Sequence, residues 1–530
     1  MSAPELTRSN RPHGSAADGH TQFGYEQELR RGVGSFASFA AGFSFVSILT
    51  TVFQLFGLGF GLGGAAFFWT WPAVFVGQLL VALCFAELAA RWPVSGAIFQ
   101  WSSRLAGTTT GWFVGWVMIV GQILTVAAAA IAAQAVLPSI WAGFQIVGGD
   151  GADPSLTSVT GAQNAVLLGL IMLGLATLVN ISGVRRMAIS TSVGVVVEIA
   201  GVIALVSLLF FLPERGPAVV FTHEGWAGSG PYLPAFLASS LMAAYVMVGF
   251  DSAGELAEET HSPRRTTPRT ILRALVTSGI GGALLILAAL MAASSLTDGS
   301  LATGGLAWVL TDRLGAVPGR LLLCCVAVAI FVCTLAVQTS GTRMIYSMAR
   351  EKALPFHRTL SRVSPRTGTP VITTIVVGIG AAIALLVNVE QSAIFTALAS
   401  LCIAMLYLAY LGVTVPLLVV RMRHRNTDGF PSGVDEHGAP QFSLGRWGVA
   451  VNVVAVIYQV GMVVNLMWPR PEIYDLTGET WWLQWSAILF IGLTLVIGAV
   501  YFVARRLHRS IALAHVPHTH VHTATAGPAA

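Results

Sequence analysis

The sequence contains little charge and almost no lysine. Only 10% of its 530 residues are charged, against about 25% in an ordinary soluble domain. A single lysine, Lys352, stands among 29 basic residues. Hydrophobic residues make up 55% of the chain, and the mean hydropathy is +0.74. A soluble protein of this length needs far more polar surface, so the composition excludes two or three globular domains in water and indicates a polytopic helical membrane protein.

The sequence also lacks the motifs of several functional classes. Its five cysteines lie in apolar runs and form no CxxC pair, disulfide framework or zinc pattern. No histidine lies inside an apolar run, and no phosphate-binding loop is present. We therefore predict no enzyme activity, no cofactor and no metal centre. The histidine-rich segment 515–522 stays open as a metal-binding tract or a flexible tail.

The apolar residues form runs long enough to cross a bilayer, whose core of about 30 Å needs about 20 helical residues. They show no alternating polarity of the kind that transmembrane barrel strands require. The sequence therefore predicts an all-α protein with twelve transmembrane helices, over residues 33–56, 66–90, 110–137, 163–183, 187–212, 233–259, 270–295, 318–347, 369–388, 391–420, 447–468 and 482–503.

The distribution of basic residues predicts the topology. With twelve spans and both termini inside, only Arg215, Arg313, Arg320 and Arg470 fall in outer segments, and the other basic residues fall in inner ones. We therefore expect a multi-pass protein of the plasma membrane with cytosolic tails at 1–32 and 504–530. The polar first 32 residues predict no signal peptide. The net charge of +5 indicates contact with anionic membrane lipids rather than binding of nucleic acid.

Two predicted spans carry small and hydroxylated residues in mid-membrane. The first contains Ser44, Ser47, Thr50 and Thr51, and the sixth contains the segment 249–254, GFDSAG. Glycine weakens a helix, and serine and aspartate compete for its backbone hydrogen bonds. Interrupted helices in corresponding positions indicate two inverted repeats of five helices, at 33–212 and 233–420, followed by two further helices at 447–503. Close helix packing through small residues is the alternative explanation.

Acidic residues at two depths of the membrane suggest two roles. Glu198 and Asp251 lie deep in spans, where a charge is costly and faces a cavity or a partner rather than lipid. Glu87, Glu258 and Glu259 lie near inner ends close to arginines, so we expect them to form salt bridges or gates.

Four segments resemble those of the amino acid–polyamine–organocation transporters. Segment 248–269, VGFDSAGELAEETHSPRRTTPR, resembles the sixth-helix signature of the branch that carries amino acids, GABA and choline. Segment 87–96, ELAARWPVSG, is similar to the inner end of the second helix, and segment 340–355 to the end of the eighth. Segment 25–31, YEQELRR, resembles the part before the first helix. The resemblance covers about residues 25–420 and carries no information on the substrate.

The resemblance implies a substrate site between the first and sixth helices. In the family, backbone amides at the first-helix break hold the substrate carboxylate. This break corresponds to the segment from Ser47 to Thr51, which includes Leu49 and Thr50. The family usually has more glycine there. Tyr245 corresponds to an aromatic gate over the substrate. The sixth-helix break, whose carbonyl groups suit an amine, corresponds to Val248, Gly249, Phe250, Asp251 and Ser252.

Glu198 departs from the family pattern. It takes a position where some proton-coupled members have a lysine that replaces a sodium ion. Three roles stay open for it: a proton carrier, a ligand of a cation such as sodium, or a structural hydrogen-bond partner of a neighbouring helix. Thr339 and Ser340 are candidates to add hydroxyl groups to the same ion-coupling site.

The sequence thus predicts a secondary active permease that moves a small amino acid or related amine by alternating access, with proton coupling. A small zwitterion such as GABA is the first substrate expected, because the spans contain carboxylate-binding amides and acids but no mid-membrane arginine or lysine. A choline or polyamine carrier, an amino acid exchanger and a non-transporting amine sensor are the alternatives.

Overall fold

The computed structural model describes residues 29, 31–149, 151–156, 158–226, 228, 230–297, 299–387, 389, 394–423, 433–435, 437–474, 481–507 and 511, without the side chains of 394–397 and 472. The predicted cytosolic tails lie largely outside these residues, as do the histidine-rich segment 515–522 and most of segment 25–31. In the described part of the chain, β-type pairing is limited to two isolated bridges, Val33 with Thr260 and Val434 with Pro440.

Fifteen of the described helices have ten or more residues. Those of the first half are α1 Ser35–Val46, α2 Ile48–Gly63, α3 Thr70–Arg91, α4 Ala97–Ala106, α5 Thr108–Ile131, α6 Val159–Ile181 and α7 Val184–Phe211. Those of the second half are α8 Tyr232–Val246, α9 Pro263–Ala292, α10 Ser300–Leu314, α11 Ala316–Arg350, α12 Val371–Leu386, α13 Ile394–Arg423, α14 Gly448–Met467 and α15 Ser486–Ala504.

Ten helical stretches of the described chain are long and apolar enough to cross a membrane. The predicted spans 233–259 and 369–388 correspond instead to the shorter apolar helices α8 and α12. The chain is therefore a multi-pass membrane protein. The count of twelve spans and the inverted repeat remain predictions.

Several helix boundaries differ from those expected. The predicted span 233–259 stops being one helix at Val246, and α9 begins at Pro263, seven residues before the predicted 270. Proline suits the first turn of a helix, where its missing N–H is not needed. The helices α4 and α10 were not placed by the sequence, because each is shorter than the roughly 20 residues that make a crossing recognisable.

The centre of the bundle is formed around the two halves of the interrupted first span. Helix α1 packs against α7, α9 and α11, while α2 packs against α8 and α10. The outward faces of the bundle carry exposed aliphatic side chains, such as Val193, Val196 and Ile203 on α7. On the opposite side of that helix, Glu198 is completely buried. The bundle therefore places one acidic side chain of α7 against the interruption of the first span.

Candidate functional site

The first span is interrupted at Ser47, within the segment where the sequence predicts a break. Ser47 has φ 34° and ψ 95°, which is neither helical nor extended, and it separates α1 from α2. Its amide still donates to the carbonyl of Phe43 at 2.8 Å and so closes α1. The hydroxyl of Thr51 donates to the carbonyl of Ser47 at 2.6 Å. A helix that begins at Ile48 has amides in its first turn without partners in the helix itself.

The carboxylate of Glu198 lies at the N-terminus of α2. Its Oε1 accepts hydrogen bonds from the Ser47 hydroxyl at 2.9 Å and from the backbone amide of Leu49 at 3.1 Å. The hydroxyl of Thr50 lies 2.7 Å from that of Ser47. The positive end of a helix dipole favours a carboxylate in this position. Glu198 of α7 therefore caps a helix that begins inside the protein, and one of its donors, the Leu49 amide, belongs to the amides that the resemblance assigns to the substrate.

Glu198 has hydrogen-bond donors but no cation beside it. It is fully buried, and no arginine, lysine or histidine of the described chain forms an ion pair with it. Its second oxygen, Oε2, has no hydrogen-bond partner. A buried charge without a counter-ion is costly, and taking up a proton removes that cost. The arrangement can therefore hold and release a proton next to the break.

The second break lies between Val246, where α8 ends, and a short helix that begins at Ser252. Gly249 has φ 90°, a conformation that glycine adopts far more readily than other residues. A Cβ on this residue would lie 1.7 Å from the ring of Phe45 in α1. The two breaks are therefore neighbours, since Phe45 is only two residues before Ser47.

Tyr410 of α13 connects the two polar groups of the second break. Its hydroxyl accepts a hydrogen bond from the amide of Gly249 at 2.8 Å and donates a short one to Oδ1 of Asp251. The other oxygen of Asp251 has no hydrogen-bond partner. The Phe250 ring packs 5.4 Å from the Tyr410 ring, centroid to centroid, and both contact Phe85. An unwound segment that carries a carboxylate suits an ammonium group.

The sequence did not assign Glu255 or Tyr410 to the second break. Glu255 is fully buried one turn after Asp251, and its Oε2 accepts from the amide of Gly96 at 2.9 Å. Its spacing of four residues from Asp251 was a usable signal, because residues i and i+4 lie on one face of a helix. No sequence signal linked Tyr410 to the break, since the two are 159 residues apart.

The predicted substrate residues are all buried in this conformation, and so is Ser340 with Thr339. The first group comprises Ser47, Leu49, Thr50, Thr51, Tyr245, Val248, Gly249, Phe250, Asp251 and Ser252. The two breaks that contain most of this group are neighbours, through Phe45 and Gly249. They do not bring Thr339 and Ser340 to Glu198 through any described hydrogen bond.

The hydroxyl groups of Thr339 and Ser340 form hydrogen bonds with other residues. Thr339 donates to Asn180 at 2.6 Å, and Ser340 accepts from Gln122 at 2.9 Å. The residue of α11 that reaches the first break is Cys333, whose sulfur lies 3.7 Å from the Phe45 carbonyl oxygen. Thr339 is six residues further along, which is about 9 Å at 1.5 Å per residue.

Four ion pairs, made by three glutamates, lie at the inner end of the bundle, the end that is predicted to face the cytosol. Glu259 accepts from Arg343 at 2.8 Å, and both side chains are almost fully buried. Glu258 pairs with Arg350 at 2.7 Å. Glu87 pairs with Arg91 at 3.0 Å and makes a short contact with Arg421. The salt bridges expected for Glu87, Glu258 and Glu259 are therefore present.

A cavity of about 1030 Å³ lies away from the breaks, between α2, the start of α8 and the end of α14. Its lining includes Trp226, Leu233 and Trp468, and none of the predicted substrate residues. The described residues contain no group of three histidine, cysteine, aspartate or glutamate side chains placed to hold a metal ion.

Together these features define a multi-pass helical membrane protein with two adjacent broken helices and buried acids at both breaks. The family model described as "Amino acid permease" matches residues 33–496. The chain belongs to this family, within the amino acid–polyamine–organocation superfamily, and is a transporter of amino acids rather than an enzyme.

Curated relatives agree over most of the chain. It is 28% identical to the amino-acid permease BAT1 of Arabidopsis thaliana, across 90% of this chain and 92% of that protein. It is 22% identical to the GABA-specific permease of Saccharomyces cerevisiae, across 92% of this chain and 83% of that protein. It is 25% identical to the branched-chain amino acid permease BcaP of Lactococcus lactis, across 71% of this chain and 79% of that protein.

Proposed function

We propose that this permease is a proton-coupled secondary active transporter of a small amino acid in the plasma membrane. The substrate binds between the two breaks, and Glu198 carries the coupled proton. One observation carries the proposal: the carboxylate of Glu198 accepts hydrogen bonds from the Ser47 hydroxyl and the Leu49 amide at the first break.

Each end of an amino acid has a suitable partner at the breaks. The N-terminus of α2 favours a carboxylate. The unwound segment 247–251 presents carbonyl groups, and the free oxygen of Asp251 adds a negative charge for an ammonium group. A small zwitterion such as GABA fits this polarity. The names of the relatives support an amino acid substrate without choosing among amino acids.

Coupling follows from competition for the same donors. An ionised Glu198 holds the Leu49 amide and the Ser47 hydroxyl, so a substrate carboxylate can use them only if Glu198 withdraws. Protonation removes the charge of Glu198 and weakens it as an acceptor, because hydrogen bonds to charged groups are the stronger ones. Substrate and proton therefore bind together more favourably than either alone, and by linkage each raises the affinity for the other.

The inner ion pairs give this scheme a gate. The substrate residues are buried and the pairs Arg343–Glu259 and Arg350–Glu258 close the inner end. Alternating access then requires one group of helices to move against the other and open that end. We assign the moving groups to the two inverted repeats, 33–212 and 233–420. Residues 447–503 form an added pair of helices in this scheme, and both termini lie in the cytosol.

A carrier of choline or polyamines is the second candidate. The observation that favours it is the presence of two buried acids, Glu198 and Asp251, which form no ion pair with a basic residue of the described chain. In that case the carboxylates of Glu198 and Asp251 both face a cationic substrate. Such a substrate has no carboxylate of its own to bind the α2 amides. Exchange against a product amine, sodium coupling through Glu198, and amine sensing without transport remain as further alternatives.

The test is uptake into proteoliposomes that contain the purified protein. Labelled amino acids, GABA, polyamines and choline are supplied in turn under a pH gradient or a sodium gradient. The informative variant is Glu198→Gln, which keeps the shape and the ability to accept the Ser47 and Leu49 hydrogen bonds but cannot release a proton. Asp312→Asn is the matched control, because Asp312 is an exposed acid on α10, outside both breaks.

We expect a zwitterion to accumulate under the pH gradient in the wild type and in Asp312→Asn. In Glu198→Gln, accumulation should cease while exchange of labelled for unlabelled substrate continues. Accumulation driven by sodium, or full proton-driven accumulation in Glu198→Gln, would refute the coupling role. Uptake of choline but of no zwitterion would select the second candidate.

A further inference from the structure

A second polar site lies at the end of α9 that is predicted to face the cytosol, outside the transport route. A cavity of about 310 Å³ is lined there by Arg265, Arg269 and Arg273 of α9, together with His261 and His437. The start of α1 closes its other side with Ser35 and Phe39. From these residues we propose that the cavity binds a phosphate-bearing anion.

The three arginines share one face of α9. They follow each other at intervals of four residues, which places their side chains one above another on a helix. Like charges at this spacing repel each other. All three side chains are exposed, and no ion pair among the described residues involves them. The helix therefore carries a column of three positive charges, with which no described acid forms an ion pair at contact distance.

One acid, Asp435, interacts with this column through the charge of Arg265. Asp435 lies in the segment that also carries His437, and its Oδ1 accepts from the backbone amides of His437 and Ala439, each at 2.9 Å. The ring of His437 in turn lies 3.3 Å from the hydroxyl of Ser262. His437 therefore lines the cavity beside Ser262, which precedes α9.

The depth of the column matches the membrane surface. Helix α9 has 30 residues, or about 45 Å at 1.5 Å per residue, against a hydrocarbon core of about 30 Å. Its first residues therefore extend beyond the core, and the column from Arg265 to Arg273 covers about 12 Å of this end. That is where the phosphates of lipid headgroups lie.

The chemistry of the lining selects a phosphate rather than a smaller anion. Guanidinium groups bind phosphate oxygens through paired, charge-assisted hydrogen bonds. Basic pockets between helices on the cytoplasmic side are suited to anionic headgroups. A lipid headgroup and free inorganic phosphate offer the same chemistry, and the experiment separates these two sources. The inference does not depend on the transport proposal, because neither break contributes to the cavity.

The test measures the thermal unfolding midpoint of the full chain, purified in detergent and depleted of lipid. One series adds phosphatidylglycerol and compares it with phosphatidylcholine, which has no net charge. A second series adds inorganic phosphate and compares it with chloride at equal ionic strength. We compare the wild type with Arg269→Gln/Arg273→Gln. The control is Arg185→Gln/Arg186→Gln, which removes two exposed arginines at the start of α7, also predicted to be cytosolic.

We expect phosphatidylglycerol to raise the midpoint of the wild type and of the control by about 2 °C or more, because a ligand that binds only the folded state stabilises it. The rise should be lost in Arg269→Gln/Arg273→Gln. An equal rise with inorganic phosphate would identify a soluble anion as the source, and no rise with phosphate would identify the lipid.

The proposal is overturned if neither anion shifts the wild type, or if the double variant responds as strongly as the control. Should the double variant not fold, Arg265→Gln alone replaces it, with Arg269→Lys/Arg273→Lys as the variant that keeps the charge. A charge site requires the lysine variant to retain most of the response.

Discussion

Glu198 of α7 and Ser47 at the break of the first span are joined by a hydrogen bond of 2.9 Å between the carboxylate and the hydroxyl. The same carboxylate oxygen accepts from the Leu49 amide. The protein thus supplies from its own chain an anion at the position where the family resemblance expects the anion of the substrate. Coupling therefore depends on whether Glu198 and the substrate carboxylate compete for the same hydrogen-bond donors.

Substrate affinity should depend on pH in the wild type and not in Glu198→Gln. The protonated form of Glu198 leaves the α2 amides to the substrate, so affinity is highest at low pH. Once Glu198 ionises, affinity should fall by about tenfold for each further pH unit. Equilibrium binding of labelled substrate at a series of pH values measures this. A wild-type affinity that rises with pH contradicts the competition.

Tyr410→Phe should weaken the second break. The change removes the hydroxyl that accepts from the Gly249 amide and donates to Asp251. A buried N–H left without a partner costs about 1–3 kcal/mol, and the break loses its fixed geometry, so substrate affinity should also fall. Thermal unfolding and substrate binding report the two effects.

Tyr407→Phe is the control for this change. Tyr407 is equally buried on α13, but its hydroxyl pairs with that of Tyr458 at 3.0 Å rather than with the break. It should leave substrate affinity unchanged. Equal losses of affinity in both variants would show that Tyr410 acts only through general packing.

Gly249→Ala should be far more damaging than Gly42→Ala. An alanine at Gly249 adopts an unfavourable φ of 90° and its Cβ meets the Phe45 ring, whereas a Cβ at Gly42 lies 3.6 Å from its nearest neighbours. We expect a loss of about 1–3 kcal/mol at Gly249 and less than about 0.5 kcal/mol at Gly42. Midpoints of thermal unfolding test the ranking, which is wrong if the two variants are equally stable.

Arg343→Met should destabilise the inner end strongly. Arg343 and Glu259 are both almost fully buried, and removal of one partner of a buried pair costs about 3–5 kcal/mol because the other charge stays unpaired. The double variant Arg343→Met/Glu259→Leu should recover much of this loss, since it leaves no buried charge. Thermal unfolding of the single and double variants, with Arg358→Met as an exposed control, measures the difference. A double variant less stable than Arg343→Met argues against this account.

Much of the fold could be predicted because its signals are local in the sequence. A run of apolar residues identifies a crossing helix whatever its neighbours are. Serine and threonine around position 47, and glycine and aspartate around 249–251, indicated where helices end inside the membrane. Glycine alone is a weaker signal, because α2 contains Gly57, Gly59 and Gly61 and still continues to Gly63.

The sequence by itself determined that this chain is a multi-pass transporter with two interrupted spans and an unusual acid in α7. Each of these properties depends on hydropathy or on the identity of neighbouring residues. Only the tertiary structure decided what that acid contacts. Glu198 and Ser47 are 151 residues apart, and Tyr410 and Asp251 are 159 apart. Such pairs arise from the way helices rotate and pack, and packing directions follow from the fit of many side chains at once rather than from a local pattern.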